Sequence, residues 1–260
     1  MGWDARQRAM LAEMGFRLPA GVRVQAAAEG EAPDVAVMER PAAAPERAAA
    51  REPVVAAPAP AAARRDSLVA GFTGLGAPAL RDAVTACRVC GLCEQRRHAI
   101  YGNGALQQAQ WLVVTDPPDE ADDAAGDAMS GDAGRLLDRM LAAAGQTRRG
   151  EAPTAFVTPI VKCRPPRGRA PQAAEFDACE AVLAAQAELM QPRLVLAMGL
   201  QAARRLTGLA EPLGRLRGRV HEWRGLPLVV TYHPAYLLRT PADKAGAWDD
   251  LRMAMARVAS

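Results

Sequence analysis

The sequence lacks any long apolar run and any sign of a secretory leader. No stretch approaches the roughly 20 consecutive apolar residues that a membrane-spanning helix needs, which argues against an integral membrane protein. No apolar segment follows a basic start, so the pattern of a signal peptide is missing. We therefore expect a cytoplasmic protein with no membrane partner.

The cysteine pattern of a disulfide-stapled domain is also missing. The chain has five cysteines, which is an odd number, and their spacing is unlike that of a small secreted scaffold. In a reducing compartment, clustered cysteines more often bind metal than form disulfides. The cysteines are therefore candidate metal ligands.

Four of the cysteines form an interrupted metal-binding pattern: Cys87, Cys90, Cys163 and Cys179. The wide separation of the last two does not fit a zinc ribbon, which uses two close pairs. Four thiolates from three separate elements fit an iron–sulfur cluster better. Cys93 is an alternative to Cys90, and any one of these cysteines alone is equally typical of a small buried hydrophobic residue. Together they predict a 4Fe-4S cluster that fastens the preceding helix to the core.

The amino-terminal quarter differs in composition from the rest of the chain. Residues 1–18 have apolar positions at helical spacing, which predicts a short amphipathic helix that packs on its own domain or docks on a protein partner. Residues 19–66 are rich in alanine and proline and lack aromatic residues, which predicts a disordered linker. Residues 67–260 are predicted to form the ordered domain.

Strand-like and helix-like segments alternate through this domain. The strand-like segments are Gln110–Asp116, Ala155–Val161, Arg193–Met198, Arg219–Trp223 and Leu226–Tyr232. The helix-like segments are Leu80–Arg88, Gly134–Ala144, Ala173–Met190, Leu200–Leu206 and Pro241–Val258. This alternation predicts a layered α/β fold with a mostly parallel sheet. Functional residues are then expected in loops that follow the carboxyl ends of strands.

Four stretches carry a resemblance to a known family: CRVCGLCEQRRHAIYGNG, KCRPPRGR, GRLRGRVHEWRG and TYHPAYLLR. In this order they resemble the iron–sulfur, or type-four, uracil-DNA glycosylases, over about residues 85–258. The resemblance implies a three-layer αβα sandwich with a mostly parallel central sheet and a 4Fe-4S cluster on the four cysteines. It also implies a monomeric base-excision enzyme that hydrolyses the N-glycosidic bond of uracil in DNA.

The resemblance assigns roles to residues near two strand ends. Such enzymes flip the target base into a pocket. His233, one of three histidines, matches the family's histidine that stabilises negative charge on the departing base, although a lone histidine is often purely structural. Asp116 matches a carboxylate that directs the water or the sugar. The segment Ala235–Arg239 matches a loop that wedges into the base stack. The residues predicted to contact DNA there are Tyr236, Leu237, Leu238 and Arg239.

The uracil pocket departs from the family pattern. TDPPD at 115–119 replaces a glycine-glutamate-alanine-proline-glycine motif, so Asp116 is one methylene shorter and Pro117 lacks a backbone N–H. Met129 aligns with a stacking phenylalanine but is not a flat platform. Pro159 aligns with an asparagine that reads uracil, and it has no hydrogen-bonding side chain. Thr115, Pro117, Met129 and Pro159 are expected to line the altered pocket.

Basic residues are clustered although the overall charge is small. The formal net charge is +3 and the pI is about 8.7, which is compatible with a polyanionic partner without requiring one. The clusters are Lys162, Arg164, Arg167 and Arg169, and Arg215, Arg217 and Arg219. Such clusters suit phosphate contacts, whereas the simpler interpretation is a solvated basic face. With the resemblance, we predict that Arg164, Arg167, Arg169 and Arg217 contact DNA.

Three hypotheses for function follow from the sequence. The first is a glycosylase that releases uracil or another damaged base. The second is a catalytically weak or inactive DNA-binding relative that acts with a repair or replication partner through the amino-terminal helix and linker. The third is an iron–sulfur protein that senses redox state and binds DNA.

Overall fold

A central six-stranded sheet organises the computed structural model, which describes residues 71–107 and 109–258. The strands are β1 (Asn103–Gly104), β2 (Trp111–Thr115), β3 (Ala155–Pro159), β4 (Leu194–Met198), β5 (Val220–Trp223) and β6 (Leu226–Thr231). Their order is β1-β3-β2-β4-β6-β5. The four central strands are parallel, and the two edge strands are antiparallel to their neighbours. The expected mostly parallel sheet is confirmed.

Helices cover both faces of this sheet. They are α1 (Ala77–Thr85), α2 (Glu120–Ala125), α3 (Gly131–Ala143), α4 (Ala173–Met190), α5 (Leu200–Thr207), α6 (Leu213–Leu216), α7 (Pro234–Arg239) and α8 (Lys244–Val258). The central strands β2, β3 and β4 are buried on both faces, and their alternate residues belong to different cores. Leu112 and Val114 pack with α1, α4 and α5, whereas Trp111 and Val113 pack with α3 and α8. The three-layer αβα sandwich is confirmed.

Most of the predicted elements occur, with ends that differ by a few residues. α4 spans the expected residues, and the helix expected from Leu80 instead begins at Ala77, where a proline at the second position suits a helix start. β3 ends at Pro159, so the proline occupies the last position of its strand. Residues 1–18 and 19–66 lie outside the described residues, so the predictions made for them stay predictions.

The segment after β6 differs from the expected loop. It forms the short helix α7, with His233 as its N-cap and Pro234 as its first residue. A proline at the first position of a helix loses no intrahelical hydrogen bond and has a φ angle suited to the helix. Among the described residues, no helix is long and apolar enough to cross a lipid bilayer.

Candidate active site and metal centre

The ends of the four parallel strands form one row at the carboxyl edge of the sheet. Pro159 pairs with Thr115, Thr115 pairs with Met198, and Met198 pairs with Thr231. Adjacent strands lie about 4.8 Å apart. Asp116 and His233 follow two of these ends, so the fold brings these two predicted catalytic residues to the same edge, on either side of β4.

His233 is partly buried and is held by the backbone of the helix that it caps. The Ala235 N–H donates to its Nδ1 at 3.2 Å. Burial lowers the pKa of His233 to about 4, with an opposing effect from Asp119 and a further lowering from Arg239. The imidazole is therefore neutral near pH 7. Because Nδ1 accepts a hydrogen bond, the remaining proton lies on Nε2, which makes Nε2–H a donor.

Asp116 is anchored at the amino terminus of α5. Its Oδ1 accepts the Ala202 N–H at 2.9 Å, next to the N–H groups of Leu200 and Gln201. Gly199, at φ +106°, lies between β4 and α5, and a Cβ there would overlap the Asp116 carboxylate. The Gly199 N–H also donates to the Thr231 carbonyl at 3.0 Å. Gly199 thus packs the loop that bears Asp116 against the strand that leads to His233.

The electrostatics of Asp116 predict a measurable dependence of stability on pH. Burial raises its pKa to about 6, although the α5 N–H groups act in the opposite direction. A raised folded-state pKa adds stability below about pH 4, and this contribution is lost as the pH rises through 6. We therefore subtract the free energy of unfolding of wild type from that of Asp116→Asn. This difference should rise by about 1–3 kcal/mol when the pH is raised from 4 to 7.

Denaturant titrations at both pH values would measure this difference. Asp177→Asn is the matched control because Asp177 is an exposed carboxylate paired with Arg205 on the protein surface. A pH-independent difference between Asp116→Asn and wild type would contradict the prediction.

The other predicted pocket residues lie close to this edge. Thr115 is buried, with its hydroxyl donating to the Asp116 carbonyl at 3.2 Å, and Pro117 follows as a partly buried residue. Pro159 is buried, and its carbonyl accepts from Lys162 Nζ at 2.8 Å. Met129 precedes α3, which packs on α7, and it has a left-handed φ of +58° at 3% exposure. Three of these four predicted pocket residues are therefore buried, and Pro117 is partly buried.

The predicted DNA-contacting arginines differ in how strongly protein partners hold them. Arg169 forms two hydrogen bonds to the Glu175 carboxylate, and Arg164 pairs with exposed Glu120 at 3.2 Å. Arg217 packs over the Tyr232 ring and pairs with buried Asp250 at 2.7 Å. Arg167 is exposed in a turn of 3-10 helix and is the arginine of this set best suited to phosphate contact.

The four residues predicted as a DNA wedge separate into different environments. Tyr236 stacks on Tyr232 with ring centroids 5.1 Å apart, and its hydroxyl donates to Asp243 at 2.5 Å. Leu237 is fully buried in the core, which corrects its assignment to a DNA-contacting surface. Successive side chains of a helix point about 100° apart around its axis, so the neighbours of Leu237 can face solvent. Leu238 is 44% exposed, and Arg239 is exposed as well. The best wedge candidate is therefore Leu238.

The fold brings all five cysteines to one cavity, between the segment after α1, the end of β3 and α4. The lining thiols are those of Cys87, Cys90, Cys93, Cys163 and Cys179. Burial raises the pKa of Cys163 to about 11 and that of Cys179 to about 12. In the described ranges, no three His, Cys, Asp or Glu side chains converge as a site for a single metal ion. Thiolates are the usual ligands of iron–sulfur clusters, and the thiols of five cysteines line this one cavity.

Two basic side chains line this cavity. Arg96 donates to Cys163 Sγ at 3.1 Å and to the Thr85 carbonyl at 2.7 Å, which ties the end of α1 to the cysteine. Lys162 is buried, with its Nζ donating to Thr158 Oγ1 at 2.6 Å. Donors and positive charge beside thiolates stabilise an anionic centre. The residues present therefore fit an iron–sulfur cluster.

Comparison with known proteins identifies the family. The model of the uracil DNA glycosylase superfamily matches residues 101–252. The type-4 uracil-DNA glycosylase of Pyrobaculum aerophilum is 36% identical over 182 residues, which are 67% of this chain and 90% of the relative. Those of Saccharolobus solfataricus and Thermotoga maritima are 30% and 32% identical, over 66% and 63% of this chain and 82% and 83% of their own lengths. The chain belongs to the uracil DNA glycosylase superfamily.

Three residues near the candidate sites were not predicted as functional from the sequence. Asp119, exposed at the start of α2, influences the pKa of His233. Arg148 is buried behind Met129 and hydrogen bonds to its carbonyl at 3.0 Å. Arg148 lies in a polar loop, next to another arginine, so no pattern in the sequence distinguishes it. Arg96 stands in the quoted cysteine motif, where its position offered a signal.

Proposed function

We propose that this chain is a DNA base-excision glycosylase that hydrolyses the N-glycosidic bond of uracil or another damaged base. The observation that carries the proposal is a histidine that caps α7 at the carboxyl edge of the sheet, in a member of the uracil DNA glycosylase superfamily. The relatives named as type-4 uracil-DNA glycosylases support uracil as the base.

His233 would act on the departing base. Cleavage of the bond between C1′ and the base nitrogen leaves the electron pair on the base, and its charge spreads to the carbonyl oxygen. The Nε2–H of His233 would donate to that oxygen, because Nδ1 is occupied by the Ala235 N–H. A neutral donor fixed before the reaction needs no reorganisation as the charge develops.

Asp116 would act on the sugar side. The oxygen of a water molecule bonds to C1′, and the water loses a proton as the free base leaves. A carboxylate with a pKa of about 6 is ionised near neutral pH, so it can orient this water or stabilise positive charge on the sugar. The α5 N–H groups would fix its position.

The rest of the site would hold DNA and the flipped base. Met129 and Pro159 would form apolar parts of the base pocket, Arg167 and Arg239 would contact phosphates, and Leu238 would fill the space that the base vacates. A 4Fe-4S cluster on Cys87, Cys90, Cys163 and Cys179 would supply a structural cross-link between α1, β3 and α4. None of the bond-breaking steps passes through it.

A single-turnover assay tests the proposal. The full chain is incubated in excess with labelled oligonucleotides that contain uracil, hypoxanthine or no lesion, and abasic product is measured. We expect product from uracil and none from undamaged DNA. Absence of product from every oligonucleotide, with DNA binding intact, would overturn the proposal.

The altered pocket supports a second candidate, a DNA-binding relative with weak or no activity. Met129 is not a flat ring, and Pro159 offers no side-chain hydrogen bond. If only the pocket limits the reaction, the double variant Met129→Phe/Pro159→Asn should release uracil at least about tenfold faster, since one restored buried hydrogen bond contributes about 1–3 kcal/mol. A wild type and a double variant that both bind DNA without releasing uracil would favour the second candidate.

A further inference from the structure

The side chain of Arg148 is buried, and each of its N–H donors has a hydrogen-bond acceptor. Its side chain is 1% exposed, and a guanidinium has five N–H donors. Nε donates to Asp138 at 2.5 Å, and Nη1 donates to the Ala128 carbonyl at 2.6 Å and to Asn103 Oδ1 at 3.2 Å. Nη2 donates to the carbonyls of Met129 at 3.0 Å and Gly134 at 3.4 Å. Five donors meet five acceptors.

Most of these acceptors belong to the loop at 127–130, between α2 and α3, or to the first turn of α3. Buried carbonyl groups outside a strand or helix ladder need some other donor. Arg148 supplies it for Ala128 and Met129. Asn103 adds a second donor, because its Nδ2 donates to the Ala128 carbonyl at 2.9 Å and to Asp127 at 2.5 Å.

This loop holds Met129 in an unfavourable backbone conformation. A φ of +58° is uncommon for a residue other than glycine and is tolerated only where the surroundings impose it. Gly134 closes the other side, because a Cβ there would overlap the Met129 carbonyl. The loop is thus fixed between Arg148, Asn103 and the first turns of α3.

We infer that Arg148 is a positioning residue that sets the shape and selectivity of the base pocket by clamping the 127–130 loop. The inference rests on the proposed function for the assignment of Met129 to the pocket. The five donors of Arg148 are taken up by protein groups, which leaves none for the substrate. Arg148 acts through the loop carbonyls, so its loss should weaken and broaden base recognition more than it slows the bond-breaking step.

The test compares Arg148→Gln with Arg149→Gln. Arg149 is the neighbouring residue, is 58% exposed, and pairs with Asp138 and Asp127 but with none of the loop carbonyls. For Arg148→Gln we expect faster amide hydrogen exchange in residues 127–134 and a roughly tenfold to hundredfold higher half-saturating concentration in single turnover. The maximal rate should change less, and the preference for uracil over hypoxanthine should fall. Arg149→Gln loses only a solvent-exposed ion pair to the loop, at Asp127, and should change each of these quantities far less.

Two further variants keep the test decisive if Arg148→Gln does not fold. Asn103→Ala removes the second donor to the Ala128 carbonyl and should give a smaller change in the same direction. Arg148→Lys keeps the charge with fewer donors and should restore part of the selectivity. Unchanged loop exchange and unchanged selectivity in folded Arg148 or Asn103 variants, with only a lower melting temperature, would overturn the inference.

Hydrogen exchange also separates this inference from the proposed function. If wild type releases no base but the Arg148 variants loosen the 127–134 segment selectively, the proposed function fails while the clamp stands. If wild type releases uracil and the Arg148 variants keep its selectivity, the clamp fails while the proposed function stands.

Discussion

Replacing His233 by alanine should lower the single-turnover rate of uracil release roughly 10²- to 10³-fold and leave DNA binding intact. This is the usual effect of deleting one preorganised donor to a developing oxyanion. DNA binding should persist because His233 is partly buried at the start of α7, whereas the candidate contacts Leu238 and Arg239 are exposed at the other end of this helix. Rates and binding to the same oligonucleotide would be measured side by side.

His221→Ala is the matched control for this experiment. His221 is also partly buried, but its Nε2 is 2.7 Å from the Leu216 carbonyl, away from α7. Its loss should change stability without abolishing uracil release. Equal effects of the two substitutions on the maximal rate would contradict a specific role for His233.

The pKa of His233 adds a second signature. Burial lowers this pKa to about 4, below the ordinary value of 6.5. The imidazole therefore remains a neutral donor down to about pH 5, and its contribution to the rate should be lost only as the pH approaches 4. Its contribution to stability has the same direction: it is fully present above pH 6.5 and is lost as the pH falls from 6.5 to 4. Protonation of Asp116, whose pKa is about 6, would itself lower the rate in this range, so the His233 ring is titrated directly by NMR. An imidazole pKa near 6.5 in that titration would contradict this assignment.

The sheet could be predicted from the sequence because its strands are short apolar runs separated by helical patterns. In a parallel sheet buried on both faces, period-2 alternation disappears, and only such runs remain. The edge strand β1 gave no such signal, since Asn103–Gly104 is two residues long. Its importance comes from the Asn103 side chain, which reaches a loop about 25 residues further along the chain. Contacts of that kind depend on the tertiary fold.

The site was predictable at the level of motifs and less so at the level of individual side chains. The position of His233 could be predicted because the stretch TYHPAYLLR directly follows a strand-like apolar segment. Whether Leu237 or Leu238 is exposed depends on how α7 is rotated against the core. The sequence predicted a loop for this segment, so it could not say which of the two leucines is buried. The anchoring of Asp116 depends on where α5 begins, because the amino terminus of a helix offers free N–H groups.

The cysteine positions predict the largest loss of structure. Cys163→Ser or Cys179→Ser should yield protein that contains little iron. Its thermal unfolding should have a lower midpoint than that of wild type and should be less cooperative. Metal-site formation is coupled to folding, and in zinc fingers it supplies about 10–16 kcal/mol, which is comparable to the total stability of about 5–15 kcal/mol of a domain. Iron content, visible absorbance and thermal unfolding of the purified variants would measure the effect.

Cys93→Ser is the matched control for this experiment. Cys93 lines the same cavity as the other four cysteines, so it tests whether any missing thiol is harmful. If Cys87, Cys90, Cys163 and Cys179 are the ligands, Cys93→Ser should retain iron at the wild-type level, whereas Cys90→Ser should lose it. Retention of iron by Cys90→Ser and its loss in Cys90→Ser/Cys93→Ser would show that Cys93 can replace Cys90. Wild-type protein that binds no iron when prepared without oxygen would rule out the cluster, and Arg96 would then bond to a plain buried thiol.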